Sequence, residues 1–79
     1  MEEVRKAPRR RVLKAGSISF EGGAISCTVR NLSATGTCLE VNSQQGIPDN
    51  FSLVLEMEHR SRPCLVVWRK EKRIGAIFR

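Results

Sequence analysis

The sequence predicts an all-β fold, a small six-stranded antiparallel β-barrel, and three observations carry that prediction. Apolar and polar residues alternate over short runs, the pattern of strands buried on one face. Turn-forming residues punctuate the chain between those runs. The chain has 79 residues, and closure into a barrel removes the sheet edges that so small a domain would otherwise expose. Hydrophobic residues make up 41% and charged residues 28%, a globular composition with enough apolar surface to fold.

The elements follow in order. Residues 1–11 read as a flexible, arginine-rich tail, because Pro8 disfavours helix at Ala7. The barrel domain occupies residues 12–79. Its first strand, residues 12–20, places Ile18 and Phe20 in alternation, with Gly16 marking a bulge. Glu21-Gly22-Gly23 makes a tight hairpin connection. Over residues 24–30, Ile25, Cys27 and Val29 point one way while Ser26, Thr28 and Arg30 point the other. Residues 31–36 form a polar turn. The third strand, residues 37–41, turns Leu39 and Val41 inward and leaves Cys38 on an exposed face with Glu40.

A loop at residues 42–50 contains Gly46 and Pro48. The fourth strand, residues 51–57, aligns Phe51, Leu53, Leu55 and Met57 on one face. After a turn at residues 59–62 comes a strand apolar on both faces, with Cys64, Val66 and Trp68 against Leu65 and Val67. Such a strand needs a cover outside the barrel: the tail, a second subunit in a homodimer, or a helix. Residues 70–72 turn the chain into the closing strand, residues 73–78.

Charge is concentrated at one end. Residues 1–14 carry Arg5, Lys6, Arg9, Arg10, Arg11 and Lys14 against Glu2 and Glu3, a net of +4 in a chain of +6. That potential attracts a phosphate ligand, a polyanion or an anionic surface. Cys27, Cys38 and Cys64 are an odd set without a Cys-x-x-Cys pair, and His59 is the one histidine. They read as reduced, small hydrophobic side chains, so no metal site is expected. No run reaches the roughly 18 apolar residues that span a bilayer, and the charged N-terminus is unlike a secretory signal. A cytoplasmic protein without membrane insertion is expected. Scattered carboxylates and a lone histidine in a turn give no catalytic set, so an enzyme is not expected.

Two motifs carry chemistry. Arg5 and Arg9 are four apart in a non-helical segment. Each guanidinium offers a planar fork of donors to phosphate oxygens or to a guanine edge, and a flat face for stacking. Asn31-Leu32-Ser33-Ala34-Thr35-Gly36 joins two strands with short polar side chains and a glycine.

An Arg-x-x-x-Arg pair followed some twenty residues later by Asn-x-Ser-x-x-Gly across a strand connection resembles the PilZ family. The closing segments Val66-Val67-Trp68-Arg69 and Arg73-Ile74-Gly75-Ala76-Ile77-Phe78 are similar to the last two strands of that barrel, so the resemblance covers nearly the whole chain. It implies a bacterial second-messenger receptor that binds cyclic di-GMP and acts as a signalling adaptor with a downstream protein partner. In that resemblance Arg5 and Arg9 grip phosphates and guanine, and Asn31 bonds a guanine. Ser33 contacts the ligand, Gly36 lets the chain pass close to the base, and Arg10 adds a phosphate contact. Trp68 supplies a stacking face. Many members continue into a C-terminal helix, and none is evident here. Two alternatives stand beside this reading. One is a PilZ-like protein-interaction module without nucleotide binding. The other is a basic barrel for nucleic acid, disfavoured because most of its four aromatic residues occupy core positions.

Overall fold

The structure, a computed structural model, describes residues 10–79, with side chains from Val12 onward. Six strands form: β1 (Arg10–Phe20), β2 (Gly23–Leu32), β3 (Gly36–Glu40), β4 (Asn50–Leu55), β5 (Arg60–Lys70) and β6 (Arg73–Phe78). They close into a barrel in the order β1-β2-β3-β6-β5-β4, every neighbouring pair antiparallel. Among the described residues there is no helix, so none is long and apolar enough to cross a membrane.

The alternation read from the sequence fills the interior. Ile18, Val29, Leu39, Leu53 and Ile74 are fully buried, with Cys27, Val41, Phe51, Leu55, Cys64 and Ala76 packed around them. Each such aliphatic side chain contributes about 1.5–3 kcal/mol by leaving water. Phe20 and Phe78 pack against this cluster from its margins. The Arg62 guanidinium lies over the Phe78 ring, 4.0 Å from its centroid.

Strand boundaries depart from expectation where pairing, not hydropathy, decides. β1 begins at Arg10, two residues before the expected start of the first strand, because Arg10 and Arg11 pair with Leu32 and Asn31. β2 correspondingly runs two residues beyond Arg30, so Asn31 and Leu32 belong to a strand and the turn shrinks to residues 33–35. Gly16 does not mark a bulge. It pairs regularly with Cys27, and a Cβ there would stand 3.1 Å from the Val54 carbonyl of the adjoining strand. The register shift in β1 lies instead between Arg11 and Lys14. β4 stops at Leu55, so Met57 sits in the following turn, 84% exposed, and not in the core row expected for it. β5 starts at Arg60, within the expected turn, because Arg60 and Arg62 pair with Leu55 and Leu53.

The barrel has two distinct ends. One carries the start of β1, the turn at 33–35 and the β4–β5 turn at 56–59. The other carries the β1–β2 turn, the residues 41–49 connection and the β5–β6 turn. Gly22 takes a φ of 104° in the first of these hairpins, a conformation glycine adopts without steric strain.

Candidate functional site

Two β-bulges build the site by turning side chains from the core to the outer wall. In β2, Val29 faces Leu39 inside the barrel, and strict alternation would point Asn31 inward as well. The register shifts between Val29 and Asn31, leaving Arg30 as the extra residue, and Asn31 comes to lie opposite Cys38. In β5, Cys64 is buried and Val66 packs on the core. Trp68, expected on that same face, is turned out by a shift between Val66 and Trp68 that makes Val67 the extra residue. Bulges re-aim side chains in this way.

The two bulges flank a single row across four strands. Asn31 pairs with Cys38, Cys38 with Gly75, and Gly75 with Trp68. Directly opposed residues of antiparallel strands share a face. Gly75 is the seat of the indole: a Cβ built there would collide with Trp68 Nε1, Cε2 and Cδ1. Only a residue without a side chain lets the ring lie flat on the wall. Cys38 was expected to be exposed with Glu40 and is instead only 9% exposed, because it lines the groove beside Trp68 and Gly75.

That groove holds about 190 Å³ and brings together Asn31, Ser33, Gly36, Trp68, Gly75 and Ile77. Its upper lip is the 33–36 turn. Ser33 Oγ accepts hydrogen bonds from the Thr35 N–H at 3.2 Å and the Gly36 N–H at 3.1 Å. The Ser33 N–H donates to the Gly36 carbonyl at 2.9 Å. The hydroxyl is thus committed to shaping the turn, as small polar residues do at such positions. Gly36 does not adopt a positive φ. Its role is close approach: a Cβ there would stand 2.7 Å from the Ala76 carbonyl.

Asn31 is positioned through its main chain. The buried Thr37 hydroxyl donates to the Asn31 carbonyl at 2.8 Å. The Asn31 carboxamide makes no hydrogen bond among the described residues, and it lines the groove half-buried. Arg5 and Arg9 lie outside the described residues. Arg10 is placed by its backbone, opposite Leu32 in the β1–β2 ladder. Four of the seven expected site residues therefore meet at one groove: Asn31, Ser33, Gly36 and Trp68.

Gly75 escaped sequence reasoning, although a glycine paired with an aromatic on the neighbouring closing strand is a readable sign of close packing. Arg69 sits beside the β5–β6 hairpin, where a charged residue is ordinarily solvated. Its guanidinium donates at 2.9 Å to both the Ile47 carbonyl and Asp49 Oδ1, holding the long connection against β5. Ion pairs with sequence separations of this kind leave no local signal.

Cys27 and Cys64 are chemically quiet. Burial is the main cause that pushes the Cys27 thiol up from 9.0 to about 11, and it raises Cys64 as well. At neutral pH both stay protonated and weakly nucleophilic. No cluster of three or more metal-ligating side chains occurs among the described residues. At the same end as the 33–36 turn, Lys14 Nζ bonds Glu58 Oε2 at 2.5 Å and holds that carboxyl below its ordinary pKa of 4.5.

No curated protein is a significant match to the chain. The family model for the PilZ domain matches residues 3–79. The barrel, the Asn-x-Ser-x-x-Gly turn on its groove and that match agree: the chain belongs to the PilZ domain family, whose members are in general cyclic di-GMP-binding modules of signalling rather than enzymes.

Proposed function

We propose that this protein is a cyclic di-GMP receptor of the bacterial cytoplasm that passes the signal to a protein partner. The observation that carries the reading is the convergence of Asn31, the Ser33–Gly36 turn and Trp68 on one groove. The Asn31 carboxamide, with a donor and an acceptor free among the described residues, suits a guanine edge. The Trp68 face offers a stacking surface beside it. The Ser33 hydroxyl acts as a positioning group, and ligand contact at that residue falls to the backbone. The start of β1 lies at the same barrel end as the turn. The reading gives the phosphates to Arg10 at the start of β1 and to Arg5 and Arg9 of the sequence before it. Binding fixes these arginines against the barrel and changes the surface a partner meets.

Calorimetric titration of cyclic di-GMP into the chain tests this. Saturable binding is expected, with Arg9→Ala and Asn31→Ala each weakening it by about 1.5–3 kcal/mol, the worth of a hydrogen bond to a charged or buried polar group. Absence of binding at ligand concentrations far above micromolar would falsify the reading.

A second reading has its own observation. Val67, Trp68 and Ile77 are 53%, 47% and 41% exposed on adjoining strands. An apolar strip of this kind favours a protein contact. A chain that ignores the nucleotide yet binds a protein through Val67 and Ile77 would fit that module.

A further inference from the structure

Beside the Asn31–Trp68 row, one residue away along β2 and two along β3 and β6, the outer wall carries a cluster that no motif includes. Glu40 lies opposite Arg73 in the β3–β6 ladder. Its carboxylate Oε1 stands 3.2 Å from Arg30 Nη1. Arg30 is the extra residue of the β2 bulge, so the distortion that turns Asn31 outward also sets Arg30 on the wall next to it. A carboxylate is thereby placed between arginines from two different strands.

Arg30, Asn31 and Arg73 line one hollow together with Val12 and Leu13. Asn31 also lines the groove of Trp68 and the 33–36 turn. Asn31 is thus common to the two depressions, which adjoin at that side chain. An anionic group attached to a base held at Asn31 arrives within reach of Arg30 and Arg73. Glu40 already engages one of these guanidiniums, since its carboxylate pairs with Arg30.

We propose that Arg30 and Arg73 form a phosphate subsite for the cyclic dinucleotide held at Asn31, and that Glu40 is an internal competitor which sets the affinity. The proposal rests on the reading of the groove as a cyclic di-GMP site. The Arg30 and Glu40 side chains remain 40% and 39% exposed. An ion pair so exposed and single-bonded is weak and yields to a better anion. A phosphate offers two oxygens to a guanidinium fork and satisfies it more fully than one carboxylate oxygen does. Ligand binding then releases Glu40 to solvent.

The test is calorimetric titration of the chain with cyclic di-GMP, repeated for three single variants. Arg30→Gln and Arg73→Gln are each expected to weaken binding about tenfold, the loss of one charge-assisted hydrogen bond. Glu40→Gln is expected to tighten binding about two- to fivefold, the worth of an exposed ion pair. The gain is the decisive reading, because a damaged fold cannot produce it. The arginine variants should also show a shallower fall of affinity with salt. Wild-type binding that stays unaltered in all three variants overturns this inference and leaves the groove reading standing. A wild-type chain that binds no cyclic di-GMP overturns both. Weaker binding by Glu40→Gln overturns the competitor role.

Discussion

At the barrel end formed by the β5–β6 turn, the connection of residues 41–49 is held from outside itself. Ile47 is buried in the core cluster, Arg69 grips the Ile47 carbonyl and Asp49, and Gln44 Nε2 donates to the Glu71 and Arg73 carbonyls. At the opposite end, the 33–36 turn is held mostly from within, by the Ser33 hydroxyl and by hydrogen bonds among its own residues, with one main-chain bond from the Phe78 N–H to the Thr35 carbonyl. The long connection spends its polar groups on the barrel. The short turn spends its hydroxyls and main chain on its own shape and leaves the Asn31 carboxamide uncommitted among the described residues. One end therefore serves to close the core and the other to present chemistry.

The largest expected effect breaks the plugged end. Ile47→Ala should destabilise the protein by about 2–4 kcal/mol, through lost burial and the cavity left behind, as read by urea denaturation. Gly36→Ala strikes the other end, where the added methyl meets the Ala76 carbonyl. A loss of about 1–3 kcal/mol is expected, accompanied by weakened ligand binding because the turn must move. Ile47→Ala should leave the affinity of the folded protein unchanged, and that contrast is the sharpest check on the division of labour.

Arg69→Gln removes the external clasp and should remove about 1–2 kcal/mol, with faster amide exchange confined to residues 44–49. The smallest effect belongs to Lys14 and Glu58 at the presenting end. The folded carboxyl titrates below its ordinary value because of Lys14. Its contribution is therefore present above about pH 4.5 and is lost as the pH falls through the depressed folded value. Lys14→Gln should reduce thermal stability slightly at neutral pH, and the difference from wild type should vanish in acid or at high salt.

Much of the barrel was legible because its core obeys period two. Ile25, Cys27 and Val29 alternate without interruption, and so do Phe51, Leu53 and Leu55; their inward placement follows from spacing alone. The strand ends were not legible, because Arg10, Arg11 and Leu32 are extended by ladder pairing with distant residues rather than by their own hydropathy. Met57 illustrates the converse. Its spacing fits the row, but the chain has already turned at Glu56.

The site was legible in its types but not in its geometry. Asn31, Ser33 and Gly36 were identified by motif, and strict alternation would have buried Asn31. The bulges at Arg30 and Val67 decide otherwise. A bulge is a mismatch between two strands' counts, so neither strand's sequence contains it. For the same reason spacing grouped Trp68 with Cys64 and Val66, a face the bulge takes it away from, and the Gly75 seat passed unnoticed. Arg5 and Arg9 remain a reading of sequence, since they lie outside the described residues.

The seating of Trp68 on Gly75 has an optical consequence. Trp68 is the only tryptophan, and no tyrosine is present, so near-ultraviolet emission from this protein originates at the groove wall and not in the core. A fluorescence change on adding ligand would report local rearrangement around the indole even while the barrel interior stays unaltered. A thermal melt followed by the same signal would register the indole lifting from the glycine, and comparison with a far-ultraviolet dichroism melt would separate loosening of the wall from collapse of the strands.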